Sequence, residues 1–438
     1  MLRTLAKVWG GVLGVVWILF VACGDIADFD RFLSLQRGEK CGVHPLSLLA
    51  EDASFSPLGT SCISPPSSSS PATTLFVADT LNNRVVIFNI ETITNGENAV
   101  NVLGQSNFTT NGRNVTQSGL GGTGRLQSTR VGQYLYVPDG DDTAGFENIS
   151  RVMIFDVATI SDGENAAYVL GQSNFTSEAI ATTQSGVDRP YGVDLDTSNN
   201  RLFFAEQGNH RVLIVDVSSL SNGKSFDNVL GQSNFTSNST ATTQSGFNVP
   251  ADCAYDSSNQ RLFVSEVSNH RVLVFDVSTI TNGENAVNVL GQANFTSGSA
   301  NRGGSAGQNT LNSPYGLAYA SPYLYVADNL NNRVLVFDVS SVTDGENAAY
   351  VLGQPNFTTV TSGTTIAKMN APHDAVVDSV SNKLFVADAV NNRVLVFDVS
   401  TITNGEDAVN VLGQANFTSS DAALTQSGMN YPIGVALK

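Results

Sequence analysis

A sixteen-residue pattern, LFVADAVNNRVLVFDV at 384–399, recurs at 75–90, 202–217, 262–277 and 324–339. A sixth copy is split into LYVPD at 135–139 and RVMIFDV at 151–157. The arginine of the pattern stands at 84, 151, 211, 271, 333 and 393, so successive intervals are 67, 60, 60, 62 and 60. The glutamine of a following VLGQ block recurs at 105, 172, 232, 292, 354 and 414 with the same intervals. A fixed period of this length means one supersecondary unit stacked many times, and six units account for the chain from about residue 72 onward.

Within a unit the apolar residues are mostly Val, Leu, Ile and Phe in short runs bounded by Asn, Gly, Asp and Ser, which predicts strands joined by tight turns. In the third copy strand A is read at 191–196, strand B at 201–205, strand C at 211–217 and strand D at 228–230. Strand C is apolar at nearly every position, as expected of a sheet covered on both faces. Six four-stranded antiparallel units predict an all-β, six-bladed β-propeller over 72–438. The chain ends on TQSGMNYPIGVAL (425–437), which matches the strand A lead-in TQSGVDRPYGVDL (183–195), whereas the first copy has no strand A. The C-terminal strand is therefore expected to pair with the first blade and close the ring, removing exposed edges.

Ahead of the repeats, Arg3 and Lys7 precede an apolar run at 8–22, shorter than the roughly 20 residues that span a bilayer, so residues 1–22 read as a signal peptide or anchor. FVAC at 20–23 is similar to a bacterial lipobox and makes Cys23 a lipidation candidate. Residues 23–71 form an N-terminal segment ending in the Pro/Ser-rich tether SPPSSSSP, and Cys41 and Cys62 within it are a candidate disulfide. Export to a bacterial envelope or medium is the expectation, with membrane contact only through the N-terminus. Cys253, in an apolar strand, is expected as a buried free thiol. The formal charge of −17 and the absence of a basic, aromatic-interleaved run argue against nucleic acid.

With these residues in view, the repeats resemble the NHL-repeat family of β-propellers. The resemblance rests on NHRVL at 209–213 and 269–273, on NNRV at 82, 331 and 391, on Pro-x-Gly before strand A and on LFVAD in strand B. The unit is longer than the usual forty-odd residues because of the VLGQxNFTS block. The resemblance implies the fold; members of the family serve as binding scaffolds, lyases or esterase-like enzymes, so activity stays open.

Features present in every copy read as scaffold. These are the strand B acid (Asp79, Asp139, Glu206, Glu266, Asp328, Asp388) beside its arginine, the Asn/His position holding His210 and His270, and the GQxNFT corner at Asn107, Asn174, Asn234, Asn294, Asn356 and Asn416. GGSAG at 303–307 matches a nucleophile elbow only formally, since no strand–turn–helix surrounds it. Functional candidates are the positions where copies disagree. Three copies follow the strand A proline with x-Gly, but Pro250 is followed by Ala251-Asp252 and Pro372 by His373-Asp374. Asp252, His373 and Asp374 are expected near the central axis, as ligand contacts or weak candidates for a divalent cation such as calcium. Arg189 before Pro190 and the acidic residues Asp141, Asp142 and Glu147 of an insert between strands B and C of blade 2 complete the candidate set. The insert and a long loop at 297–311 lie on the face of the D–A and B–C loops, whereas the C–D loops are nearly uniform. The first reading is a monomeric binding module presenting the D–A/B–C face to a protein or small-molecule ligand. The alternatives are a metal-assisted lyase or hydrolase at the channel mouth and a structural cell-surface protein. No cofactor is otherwise indicated.

Overall fold

The computed structural model describes residues 72–121, 125–126, 129–131, 133–140 and 149–438. Cys23, Cys41, Cys62 and the insert residues Asp141, Asp142 and Glu147 lie outside them. Strands A to D of blade 3 are Pro190–Asp196, Arg201–Glu206, Arg211–Asp216 and Asn228–Leu230. Those of blade 4 are Pro250–Asp256, Arg261–Glu266, Arg271–Asp276 and Asn288–Leu290. Blade 5 has Pro314–Ala320, Tyr323–Asp328, Arg333–Asp338 and Tyr350–Leu352; blade 6 has Pro372–Asp378, Lys383–Asp388, Arg393–Asp398 and Asn410–Leu412. In blade 2, strands B to D are Tyr134–Gly140, Ser150–Asp156 and Tyr168–Leu170, and strand A is broken into Arg125–Leu126 and Thr129–Val131. Each of these five blades is an antiparallel sheet with its strands in chain order.

Blade 1 has strands B to D at Thr74–Asp79, Arg84–Asn89 and Asn101–Leu103, and takes its strand A from the chain end, Pro432–Leu437. The register runs from Leu75↔Leu437 to Ala78↔Gly434, and Thr73 N–H donates to the Lys438 carbonyl at 2.8 Å. The ring is closed as the repeat pattern predicted.

Strand C is apolar throughout because its two sides serve two cores. In blade 4, Leu273 and Phe275 pack with blade 3, while Val272 and Val274 pack with blade 5. The same interleaving gives a core at each of the six blade junctions. The arginine at the start of strand C is the polar centre of each blade. Arg271, fully buried, donates Nε to Glu266 of its own strand B, Nη1 to the Phe295 carbonyl in the NFT corner, and Nη2 to the carbonyls of Thr243 and Gly246. Glu266 also accepts from the Asn248 N–H and the Asn269 amide. A buried ion pair is tolerable only when its remaining donors and acceptors are met in this way. The scaffold reading of the acid–arginine ring therefore holds, with each acid paired inside its own blade.

Sequon asparagines act as corners. Asn294 Oδ1 accepts the Thr296 N–H and hydroxyl, both at 3.0 Å, an Asx turn that seats Phe295 against the core. His210 and His270 accept through Nδ1 from the next blade's residue before proline, Val249 N–H at 3.1 Å and Ser313 N–H at 2.9 Å. Asn332 and Asn392 do the same for Ala371 and Tyr431. All four recipients have positive φ, between 53° and 60°, a strained conformation for non-glycine residues that this inter-blade bond helps to fix.

The uniform C–D loops also have a junction role. Asn282 Oδ1 accepts the N–H of Val229, and Gly283 N–H donates to the Val229 carbonyl, so the loop of blade 4 covers strand D of blade 3. Equivalent pairs join all six blades, with Asp162 and Asp344 replacing Asn in two of them. Outer edges that would otherwise present unpaired backbone are thereby capped.

Candidate functional site: an acidic channel behind an aromatic plug

Strand A of each blade lines the axis, and its first residues after proline form two successive rings. The first ring holds Tyr191, Ala251, Tyr315, His373 and Ile433, all buried, with the His373 ring packed on the cluster that the other four form. Tyr191 Oη lies 3.0 Å from His373 Nε2, and the Tyr315 and His373 rings pack with centroids 4.2 Å apart at a tilt of 35°. Tyr431 closes on His373 edge-on. Among the described residues this cluster forms a plug across the D–A/B–C end of the channel.

The second ring, one residue further, alternates: Gly192, Asp252, Gly316, Asp374, Gly434. Strands converge here, and a Cβ on Gly192 would stand 2.1 Å from Asp252 Oδ1, while one on Gly316 would stand 2.4 Å from the Asp374 Cα. Glycine on one blade makes room for aspartate on the next. Asp252 Oδ2 accepts the N–H of Leu317 in blade 5 at 2.8 Å, and Asp374 Oδ2 accepts that of Val435 in blade 1 at 2.8 Å. The other oxygen of each caps its own following residue, Cys253 or Ala375, at 2.8 Å. Two turns of phrase in the repeat, Pro-x-Asp against Pro-x-Gly, are thus one steric device.

Behind the plug lies a cavity of ≈ 130 Å³ lined by Asp194, Asp252, Asp374, Cys253, Tyr255, Leu317, Tyr319, Val376 and Val377 among others. Asp194, Tyr319, Val376 and Val377 are half-buried and sit on the strand A halves toward the A–B hairpins, so among the described residues the cavity is more open on that side. Burial raises all three carboxyls: Asp194 to about 6, Asp374 to about 8, and Asp252 upward by burial and by the charge of Asp374. At neutral pH the cavity therefore carries less than its formal charge of three. Burial likewise raises the Cys253 thiol, which is free and buried as expected.

The sequence placed Asp252, His373 and Asp374 together at an open mouth, and the structure separates them. Successive residues of a strand point to opposite sides, so His373 enters the plug while Asp374 faces the cavity. All three are at most 3% exposed. Among the described residues no set of three or more His, Cys, Asp or Glu is arranged to hold a metal. Arg189, just ahead of strand A of blade 3, is half-exposed beside Asp188 at 3.5 Å, donates its N–H to Ser150 Oγ, and does not line the cavity. Asp194 was not singled out from the sequence, although it is the one acid at a position where other blades carry Ala254, Ala318, Val376 and Ala436. Comparing the copies at that position was the signal that identifies it.

No protein-family model matches the chain. A stretch of 100 residues, 22% of the chain, is 29% identical to NHL repeat-containing protein 2 of Bos taurus and spans 13% of that protein's length. Among solved structures, the chain is similar to one in a nidogen/laminin complex (TM-score 0.46, 13% identity, covering 83% of this chain and 97% of that one). It is also similar to a functionally unknown protein from Desulfotomaculum acetoxidans DSM 771 (TM-score 0.40, 11% identity, 75% of each chain). With six blades in hand, the chain is a β-propeller, one 100-residue stretch of which shares sequence with an NHL repeat protein.

Proposed function

We propose that this chain is an exported, surface-tethered binding module that presents its D–A/B–C face to a protein partner. The observation that carries the reading is an arc of exposed aliphatic side chains on that face. Leu330, Val390 and Leu81, exposed by 57%, 43% and 42%, stand at equivalent positions in the B–C turns of the successive blades 5, 6 and 1. Blades 3 and 4 carry Gly208 and Ser268 there. Large side chains held out to water on adjacent blades, beside a plugged channel, suit association more than catalysis.

Chain direction supports the same orientation. The polypeptide enters the propeller at Ala72, whose N–H donates to Asp378 Oδ2 at 3.0 Å, at the A–B hairpin end of blade 6. The described chain therefore begins at the end of the blades opposite the D–A/B–C face. Affinity capture of partners from envelope extracts, with the full chain and a Leu81→Asp/Leu330→Asp/Val390→Asp variant as baits, tests the surface. The variant is expected to melt like the wild type and to lose captured partners; equal capture by both rejects this face. Export rests on Arg3, Lys7 and the run at 8–22, and lipid tethering on Cys23. Cys23→Ser is expected to move the protein from the membrane to the soluble fraction, and an unchanged distribution rejects the lipid tether.

A further inference from the structure

The exposed charge of the propeller is divided unevenly between its two ends. At the A–B/C–D end, strand C closes on an aspartate in five of six blades (Asp156, Asp216, Asp276, Asp338 and Asp398), and five of the six C–D loops add a glutamate, with Lys224 in its place in blade 3. At the D–A/B–C end the acid of strand B is neutralised by its buried arginine in every blade. Outside those pairs and the buried channel acids, the described residues there carry three charges of each sign: Arg113 with Glu178 at 3.4 Å, Arg189 with Asp188 at 3.5 Å, and the loop residues Lys368 and Asp421. Arg302, also of a D–A loop, turns away to the Gly345 carbonyl of a C–D loop. Two copies of this chain therefore repel one another strongly through one end and not through the other.

The near-neutral end also carries the aliphatic arc, and the arc is symmetric about its middle member. In blades 1, 5 and 6 the B–C connection is a 3-10 turn, Thr80–Asn82, Asn329–Asn331 and Ala389–Asn391, with Leu81, Leu330 and Val390 at its centre. Each of the three donates its N–H to the carbonyl of the asparagine two residues ahead of the strand A proline, at 3.1, 3.2 and 3.2 Å, so the three turns share one pose. In a ring of six blades, a two-fold axis lying in the plane of this face and running through blades 6 and 3 exchanges blade 1 with blade 5. Two copies related in this way bring Val390 onto Val390, and Leu81 of each copy onto Leu330 of the other. The loops entering blades 6 and 1 exchange as well, so the Lys368 loop faces the Asp421 loop twice. At the far end of the axis blade 3 meets itself, where Arg189 and Asp188 form a pair of opposite charges that complements its own copy when turned about. A contact between identical surfaces needs self-complementarity of this kind.

We propose that a second copy of this chain is a partner of the D–A/B–C face, the two propellers meeting face to face about a two-fold axis through blades 6 and 3. The inference rests on the reading of that face as a protein-binding surface and names what it binds. Each copy brings three exposed aliphatic side chains and balanced charge to the contact, while both acidic ends point away from it. Three aliphatic anchors per copy make a weak, concentration-dependent pair rather than an obligate dimer. Arg189, which lines no part of the cavity, serves here as the charge that meets Asp188 of the other copy.

Sedimentation velocity of the full chain is expected to show a reversible monomer–dimer equilibrium that shifts with protein concentration. Leu81→Asp/Leu330→Asp/Val390→Asp is expected to weaken it by more than about tenfold. Cysteine cross-linking tests the symmetry and uses substitutions mild enough to keep the test open should the aspartate variant not fold. Oxidised by air with copper–phenanthroline, Val390→Cys is expected to give a covalent dimer above the wild-type background, because that residue meets its own copy. Leu81→Cys and Leu330→Cys are expected to give one when mixed and not when oxidised separately. A chain that stays monomeric at every concentration, the state expected from the sequence, overturns the proposal, as does a dimer that ignores the aspartates. Self-cross-linking of Leu81→Cys or Leu330→Cys equally overturns it, since the copies are then not related by this axis. If the monomeric chain still captures partners that the aspartate variant loses, the second copy is rejected while the binding surface stands.

Discussion

Asp252 Oδ2 accepts the main-chain N–H of Leu317 across the junction of blades 4 and 5, at 2.8 Å and out of contact with bulk water. The same carboxylate occupies space left by Gly192 on blade 3. One side chain therefore ties three consecutive blades at the axis. Asp252→Ala leaves two buried N–H donors, of Leu317 and Cys253, without their acceptor, at about 1–3 kcal/mol each. Gly192→Ala forces a Cβ into the aspartate and is expected to cost about 1–3 kcal/mol by overpacking. The combination Gly192→Ala/Asp252→Ala is expected to cost less than the sum, because the contact with the carboxylate oxygen disappears while those with the Ala251 carbonyl and the Asp252 Cα remain. Chemical denaturation of the four proteins measures this coupling, and strict additivity counts against the contact.

Asp374 gives the pH dependence its sign. Burial raises its pKa from 3.8 to about 8 in the folded chain, so between these values the folded state binds more protons than the unfolded one. Stability from this group is complete below about pH 4 and is lost as pH rises through 8. Asp252, raised by burial and by Asp374, adds in the same direction. Asp374→Asn is expected to be less stable at low pH, where it lacks a second acceptor oxygen, and to show a flatter fall between pH 4 and 8. Thermal midpoints of both proteins across that range check it; parallel profiles would show that the carboxyl does not titrate there.

His270 makes the opposite pH statement. Burial lowers its pKa below 6.5, in keeping with an Nδ1 that accepts the Ser313 N–H and must be unprotonated to do so. The unfolded chain takes up the proton first as pH falls below 6.5, so this contribution is present at neutral pH and lost in acid. Because Asn332 and Asn392 serve the same purpose in blades 5 and 6, His270→Asn is expected to fall within about 0.5 kcal/mol of the wild type at pH 7.5. It is also expected to lose less stability on going to pH 5. Denaturation midpoints at the two pH values decide it.

The repeats made most of the fold legible. Blade number, strand order and ring closure follow from periods and from the displaced lead-in at 425–437, because backbone pairing and core patterning are written in every copy. The axis was legible only in part. Asp252 and Asp374 stood out against Gly192, Gly316 and Gly434, but the reason for the alternation is the spacing of strand A across three blades, which no single copy encodes. For the same reason His373 and Asp374 read as partners from their adjacency, although the strand turns one into the plug and the other into the cavity.

The C–D loops are uniform because they close strand edges, and this can be tested by exchanging what the blades already exchange. Asn282 Oδ1 accepts the Val229 N–H at 3.0 Å, and Asp162 and Asp344 accept the equivalent N–H groups of Val102 and Val289. Only the acceptor oxygen is common to both residue types. Asn282→Asp is therefore expected to change stability by less than about 0.5 kcal/mol. Asn282→Ala removes the acceptor from a partly buried edge N–H and is expected to cost about 1 kcal/mol, with faster amide exchange at Val229. Gly283, at φ +69° with the Gln232 carbonyl 3.0 Å from where a Cβ would stand, cannot take a side chain without strain. Gly283→Ala is thus expected to open the same edge from the other side. Hydrogen exchange read at Val229 separates the two outcomes from general destabilisation: if Ala at 282 or 283 accelerates every blade equally, the loop does not act as a local clasp.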